Sequence, residues 1–349
     1  MKIACVLMMH DEPLVGGELY NFLNLVKTLG EKTEVEALLF TDKNYNKKWG
    51  IAIDRGLKWH SRDYFQYLDN FDHVIFSAPG SRTDRDEILY YENCWWEPKL
   101  EQLKTKFSVQ IQCEDNIRIF PRRNLFWNHK NCSGIIEIEK GFADLVAADR
   151  PKDLSVFRIA PWDYLDLHSA NHRAYWPEKK RLIVSTSMLA QRKRVLPLVK
   201  CTRALNEVDF SVRVGGVAYA WSSLGDLREY HGWEYFGEYE DSIQVERDAM
   251  FHYNGTSKGI RRVELCTVQA AIHGCCPILN ADFAPIWAND ENSIRVKLAD
   301  VKTFEDEQTF VNRVVECSEI WHEMNDNFVK ELRRQNPRSD IMEFLQWIS

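Results

Sequence analysis

Three cations stand next to one another in the second half of the chain, where they could bind a diphosphate. Arg192, Lys193 and Arg194 come shortly after the apolar run 181–187 and just before a stretch of helical character. Cations at such a place can hold phosphate oxygens and stabilise the charge that grows on a departing nucleoside diphosphate. A solvated basic turn is the alternative interpretation.

A second group of polar residues lies on and before a predicted helix that begins near residue 259 and ends at Gly274. Glu264 could bind ribose hydroxyls, as acidic residues do in nucleotide-binding α/β folds, and Gln269 lies five residues further on. Lys258 and Arg261 add positive charge before the helix, which suits phosphate recognition. An exposed amphipathic helix without a ligand is the alternative.

Two acidic residues follow an apolar run in the first half of the chain. Glu114 and Asp115 come directly after residues 107–113, and Arg122 and Arg123 stand a few residues later. A carboxylate at the end of a strand could act as a general base toward an acceptor hydroxyl. A polar loop with a helix cap is the alternative.

Gly16 and Gly17 separate the first apolar run, 2–9, from the first predicted helix, 14–29. Without side chains, they would let a ligand approach the N–H groups at a helix start. The pair lacks the G-x-G-x-x-G pattern, which disfavours a dinucleotide cofactor. A simple turn accounts for the pair equally well.

Short apolar runs alternate with helical patterns, and these elements must position the polar groups. This alternation predicts parallel sheets covered by helices on both faces. The more polar stretch 163–180 predicts a linker, after which the strand pattern starts again. The predicted strands are 2–9, 35–42, 73–79, 107–113, 134–139, 155–161, 181–187, 210–216, 235–237 and 276–280.

The chain of 349 residues is longer than one hydrophobic core usually serves. We expect an α/β protein with a Rossmann-like parallel-sheet domain at 1–165, a second at 166–330, and a cleft between them. The residues from 305 onward have helical character, and the last helix, within 331–349, should pack back on the first domain. Clefts between domains commonly bind ligands.

Composition narrows the classes of protein to consider. The net charge of −7 and pI near 5.9 argue against a protein that coats nucleic acid with its whole surface, although a local basic patch is compatible with them. Nine scattered cysteines without a C-x-x-C pair indicate reduced thiols. The N-terminus has no signal-peptide pattern, and no apolar run is long enough to span a membrane, so a cytoplasmic location is expected.

The motifs resemble those of retaining GT-B glycosyltransferases, through the basic triplet and the segment QAAIHGCCPI. The segments MKIACVLMMHDEPLVGGELYNF, RRN and VELCTVQ are similar to the T-even bacteriophage DNA alpha-glucosyltransferases, which modify hydroxymethylcytosine. Asp115, the RRN triplet from Arg122 and Glu264 fall on matching positions. Glu114 stands where that family has a histidine, and Gln269 replaces a second carboxylate.

The resemblance implies a GT-B fold with a C-terminal helical tail and transfer of glucose or arabinose, with retention, to hydroxymethylcytosine. The second domain would bind a UDP-sugar, with no tightly bound cofactor and no required metal. The first would hold duplex DNA through Arg122 and Arg123, with Asp115 or Glu114 as the base. A phage protein of this kind would act in the host cytoplasm, away from membranes. A glycan or small-molecule acceptor, and a non-catalytic nucleotide-sugar or DNA-binding protein, are the alternatives.

Overall fold

The structure is a computed structural model in which two compact units are distinguished. The first contains Met1–Tyr164 and Arg338–Ser349, and the second contains Leu165–Pro337. The description covers residues 1–9, 17–41, 56–81, 96–111, 124–138, 141, 143–144, 147–159, 165–186, 189, 193–216, 227–237, 242–256, 263–299, 303–338 and 341–349.

The first unit is built on a seven-stranded sheet in which every neighbouring pair of strands is parallel. The strand order is β3-β2-β1-β4-β5-β6-β7. Its strands are β1 (Lys2–Met9), β2 (Glu34–Thr41), β3 (Lys58–Ser61), β4 (His73–Ser81), β5 (Phe107–Ile111), β6 (Cys132–Glu137) and β7 (Ser155–Arg158). The helices are α1 (Gly17–Gly30), α2 (Glu97–Leu100), α3 (Asn124–Trp127) and the 3-10 helix Arg62–Asn70.

The second unit has a six-stranded parallel sheet of its own, with the order β10-β9-β8-β11-β12-β13. Its strands are β8 (Lys180–Ser185), β9 (Ser211–Val214), β10 (Trp233–Tyr235), β11 (Ala249–Asn254), β12 (Cys276–Asn280) and β13 (Ile294–Val296). Its helices are α4 (Leu196–Lys200), α5 (Thr202–Asn206), α6 (Ser242–Asp248), α7 (Leu265–Ile272), α8 (Glu307–Cys317), α9 (Trp321–Gln335) and the 3-10 helix His172–Glu178.

The final helix, α10 (Ile341–Ile348), belongs to the core of the first unit. Phe344 is fully buried, with its ring centroid 5.3 Å from that of Phe157 on β7. The Trp347 ring lies 4.8 Å from the same phenylalanine. Burial of these aromatic rings attaches the last residues of the chain to the sheet formed by its first half.

Both sheets share one topology, because the six strands of the second repeat the order of the first six strands of the first. The order reverses between β1 and β4 in the first unit and between β8 and β11 in the second. In open parallel sheets, ligands bind at the carboxyl ends of the strands beside such a reversal. The predicted α/β class with two parallel sheets is confirmed. In the second unit, a ligand site is expected at the loops after β8 and β11.

Some sequence-based predictions were incomplete or wrong in detail. The strands β3, β11 and β13 were not predicted. The helix expected to begin near residue 259 begins at Leu265, because Glu264 has an extended backbone with φ −75° and ψ 153°. The helix does end as predicted, with Gly274 in the left-handed region at φ 87°.

Candidate functional site

A cluster of charged groups lies at the carboxyl edge of the second sheet. Lys193 follows β8, and Glu264 immediately precedes α7, the helix between β11 and β12. Lys193 Nζ donates to both carboxylate oxygens of Glu264. The two side chains are only 13% and 23% exposed, so the ion pair is largely shielded from solvent.

The Glu264 carboxylate also accepts two uncharged hydrogen bonds. Thr256 Oγ1 donates to Oε1 at 2.8 Å, and Asn254 Nδ2 donates to Oε2 at 3.2 Å. Burial alone would raise the pKa of this carboxyl group, but the Lys193 charge and the donated hydrogen bonds outweigh it and lower the pKa to about 2. Glu264 is therefore a carboxylate at every physiological pH.

The end of β11 is fixed so that it can supply these donors. Asn254 Nδ2 also donates to Thr267 Oγ1 on α7 at 2.9 Å, and Asn254 Oδ1 accepts from the Thr256 backbone at 3.1 Å. From β12, Asn280 Nδ2 donates to the Thr256 carbonyl at 3.0 Å. The carboxyl ends of β11 and β12 and the start of α7 thus form one hydrogen-bonded frame around Glu264.

Gly255 allows the basic segment to approach this frame closely. A Cβ atom at this position would lie 2.8 Å from the carbonyl oxygen of Arg194 and 2.9 Å from that of Lys193. Tyr253 holds the same segment by donating its hydroxyl to the Arg194 carbonyl at 2.8 Å. Arg194 itself has a left-handed backbone at φ 45°. The main chain here is therefore positioned by direct contact with β11.

The start of α7 adds a site for negative charge. Glu264 is its N-cap residue, but its side chain makes no capping hydrogen bond, because it is directed to Lys193 and its partners. The N–H groups of the first helical turn carry partial positive charge and attract anions. A lysine beside a helix N-terminus and a carboxylate for hydroxyl groups are together suited to a phosphorylated ribose.

Gln269 belongs to a different cluster deeper in the unit. Its Nε2 donates at 3.1 Å to the carboxylate of Glu246 on α6. Glu246 is fully buried and also accepts from Thr186 Oγ1 at 2.9 Å. Gln269 is therefore paired with Glu246 rather than with Glu264, although the sequence led us to expect both near the first half of the helix.

Of the site residues predicted from sequence, five are described by the structure. Lys193 and Glu264 lie together, Arg194 adjoins them, Gln269 faces Glu246, and Gly17 is the first residue of α1 in the other unit. Within the described part of the chain, the buried Arg194 Nε has no hydrogen-bond partner. The remaining predicted residues lie outside the described residues: Glu114, Asp115, Gly16, Arg122, Arg123, Arg192, Lys258 and Arg261.

Sequence reasoning missed Asn254, Thr256, Thr186 and Glu246. Asn254 is the last residue of β11, and Thr256 lies two residues after it. Polar residues at the carboxyl ends of parallel strands commonly form ligand sites, so both could have been predicted if β11 had been recognised. Thr186 follows β8 and was open to the same reasoning. Glu246 carries no comparable signal, because a charged residue in a short helix usually faces solvent.

The described residues also bear on metal binding and on membrane insertion. Those residues contain no group of three or more His, Cys, Asp or Glu side chains placed to hold a metal ion. The helices described there include none with the length and apolar character needed to cross a membrane. The seven cysteines in the described part of the chain all carry free thiols.

No protein-family model matches the sequence, and no curated protein matches it either. Solved structures do match over the whole chain. An alpha-glucosyltransferase in complex with UDP and a 13-mer DNA with a central A:G mismatch has a TM-score of 0.67 at 13% identity, covering 100% of this chain and 99% of that chain. The alpha-glucosyltransferase in complex with UDP-glucose and DNA containing an abasic site gives 0.68 at 14%, with the same coverage.

A third solved structure, from Anabaena, has the same fold. Anabaena Alr3699/HepE in complex with UDP has a TM-score of 0.66 at 12% identity, covering 100% of this chain and 98% of that chain. At identities this low, the likeness establishes the fold. The two parallel sheets of this chain are those of the GT-B architecture predicted from the sequence.

Proposed function

We propose that this chain is a glycosyltransferase that binds a UDP-sugar on its second unit and transfers the sugar to hydroxymethylcytosine in DNA. The observation that carries the proposal is the Lys193–Glu264 pair, located where the strand order reverses and where α7 begins. The neighbouring solved structures support it, because they are complexes with UDP, with UDP-glucose and with DNA.

The chemistry of the pair fits a nucleoside diphosphate. Lys193, Thr256 and Asn254 together occupy the lone-pair directions of the Glu264 carboxylate. A ribose hydroxyl must therefore replace one of these donors. We propose that Lys193 is the one that leaves, moving from Glu264 to a phosphate oxygen while ribose hydroxyls donate to Glu264. Lysine is suited to this exchange because its ammonium group is a point charge on a flexible stem.

The same groups favour departure of UDP. The bond from the sugar C1 to the diphosphate oxygen breaks, and negative charge grows on the phosphate that leaves. Lys193, Arg194 and the N–H groups at the start of α7 would stabilise that charge, with Arg192 and the basic residues before the helix, Lys258 and Arg261, adding to the field.

For the acceptor step, we propose the residues matched by the resemblance. Asp115, or Glu114 beside it, would take the proton from the hydroxymethyl oxygen as the new bond to C1 forms. Arg122 and Arg123 would hold the DNA phosphates, and the target base must leave the stack to react. With a net charge of −7, DNA contact has to be local rather than spread over the surface. The free thiols of the seven cysteines that the structure describes support the cytoplasmic location that we propose.

Donor binding is tested first, by calorimetry with UDP and with ADP and GDP for comparison. Lys193→Met should weaken UDP binding about tenfold or more, since a hydrogen bond to a charged group contributes about 1.5–3 kcal/mol. Lys180→Met is the matched control. Lys180 is also paired with a carboxylate, Asp248, at 2.7 Å, but it stands at the opposite end of β8 and is exposed. Its loss should leave UDP affinity unchanged.

The acceptor is tested by incubating the protein with hydroxymethylcytosine-containing DNA and a panel of UDP-sugars, followed by mass spectrometry of the nucleosides. A hexose or pentose added to the modified cytosine, and lost in Asp115→Ala, is the expected result. UDP binding without any transfer to this DNA would move the acceptor to a glycan or small molecule. Binding without transfer to any acceptor or to water would indicate a non-catalytic protein.

A further inference from the structure

A buried carboxylate outside the Lys193–Glu264 pair receives hydrogen bonds from two elements of the proposed donor site. Glu246, near the end of α6, is fully buried. Its Oε1 accepts from Thr186 Oγ1 at 2.9 Å, and its Oε2 contacts Gln269 Nε2 at 3.1 Å and His273 Nδ1 at 2.8 Å. A buried carboxylate costs free energy unless it is satisfied in this way, so the three contacts depend on one another.

The direction of each hydrogen bond follows from the groups present. A carboxylate can only accept hydrogen bonds, so His273 Nδ1 must carry a proton. For the same reason, Thr186 uses its single hydroxyl proton to donate a hydrogen bond to Glu246. His252 Nε2, which lies 3.0 Å from Thr186 Oγ1, must then donate to that oxygen. This assignment leaves His252 Nδ1 as an acceptor, and within the described residues that buried atom has no partner.

The cluster connects the parts of the unit that carry the site. Thr186 is the first residue after β8, on the way to Lys193. Gln269 and His273 are one turn apart on the helix that begins after Glu264. The Glu246 main chain is held as well, because Lys179 Nζ donates to its carbonyl at 2.7 Å and to the His273 carbonyl at the same distance.

We propose that Glu246 is a positioning residue of the donor site, one that fixes the exit of β8 against α7 through Thr186, Gln269 and His273. This inference rests on the proposed function, since it assumes that the site set by these elements binds a nucleoside diphosphate. It also assigns a reason for glutamine at position 269. An amide there donates to Glu246, whereas a glutamate would place a second carboxylate about 3 Å from the first, where both cannot be ionised together.

The test exchanges the two groups. Glu246→Gln and Gln269→Glu are made singly and together, and the Kd for UDP is measured by calorimetry from pH 6 to 9. Each single variant should bind UDP about tenfold more weakly at pH 8, and the double variant should recover to within about threefold of the wild type, as expected for two directly coupled residues. Gln308→Glu, the same change at an exposed position on α8, should have no effect.

The pH profile separates positioning from a general loss of packing. In Gln269→Glu the two carboxylates share a proton at low pH and lose it as the pH rises, so UDP affinity should fall between pH 6 and 9. The double variant, with one carboxylate, should show the wild-type profile. The titratable groups that face this pair are His273, His252, Lys179, Cys275 and Cys266. The double variant keeps all of them beside a single carboxylate, as the wild type does, so these two profiles can be compared directly.

Thr186 supplies a second test that leaves every charge in place. Thr186→Val removes the hydroxyl and should weaken UDP binding in the same direction, while Thr186→Ser should restore it. Wild-type UDP affinity in Glu246→Gln, or a double variant no better than the weaker single variant, would overturn the inference and leave the proposed function standing. A wild-type protein that binds no nucleoside diphosphate would overturn both.

Discussion

Replacing Glu264 with glutamine should destabilise the second unit near neutral pH, and the loss should become smaller in acid. Folding lowers the pKa of Glu264 from 4.5 to about 2. At about 1.36 kcal/mol per unit of pKa, the difference corresponds to about 3 kcal/mol in favour of the folded state at pH 7. Glutamine keeps the shape of the side chain but leaves Lys193, which is 13% exposed, without its opposite charge.

The sign of the pH dependence follows from the direction of the pKa change. A group whose pKa is lower in the folded state contributes its full stability above its unfolded value of 4.5. That contribution is lost as the pH falls from 4.5 toward 2, and about three-fifths of it should be gone at pH 3. The free-energy difference between the wild type and Glu264→Gln should therefore be largest at pH 7 and fall to about 1.4 kcal/mol at pH 3.

Urea unfolding followed by tryptophan fluorescence at pH 7, 5, 4 and 3 measures this difference directly. Glu319→Gln serves as the control, because Glu319 is exposed and the same change there should alter the free energy of unfolding by less than about 0.5 kcal/mol. A Glu264→Gln protein as stable as the wild type at pH 7 would show that the ion pair contributes nothing. A difference that stays the same at pH 3 would show that it comes from packing rather than charge.

Two further predictions concern the frame around this pair. Gly255→Ala should destabilise the protein by about 1–3 kcal/mol and weaken UDP binding, because its Cβ atom would lie under 3.0 Å from two carbonyl oxygens. Gly30→Ala is the control, because a Cβ atom there would have no other atom within 4 Å. Equal stability of the two variants in urea would contradict the geometry. Burial lowers the pKa of His252 from 6.5 to about 4, so the protein should lose stability as the pH falls from 6.5 toward 4, whereas above pH 6.5 this histidine is neutral in both the folded and unfolded states. A His252 NMR signal that titrates near pH 6.5 in the folded protein would refute this.

The parallel sheets could be predicted from the sequence because each buried strand is a short, nearly continuous apolar run. The predicted strand CPILN is β12 residue for residue, and all five of its residues are buried. Strand β11 was not predicted, because its sequence, AMFHYN, is not a continuous apolar run but contains His252, Tyr253 and Asn254. These side chains are buried, and each makes a hydrogen bond to a residue elsewhere in the chain, which a pattern of hydrophobicity does not reveal.

The site could be predicted only in outline. Lys193 and Glu264 were identified because each stands beside an element whose place in the fold was predictable. Their direct contact was not predicted, since 71 residues separate them. Glu246 could not be predicted as a site residue, because the sequence SIQVERD alone does not show that its carboxylate faces inward toward Thr186. Residue types indicate which chemistry is possible, whereas tertiary contacts determine which of the side chains come together in one site.

Gln269 stands where the family that the sequence resembles has a second carboxylate. The loss of that carboxylate favours a catalytically silent protein, but the structure gives the glutamine another role. In this unit a carboxylate is already present, on α6, and Gln269 donates to it. A glutamate at 269 would need either a proton or the loss of Glu246, together with its contacts to Thr186 and His273. The amide is therefore the group that the surrounding contacts require. The Lys193–Glu264 pair, the charged part of the proposed donor site that the structure describes, is also in place.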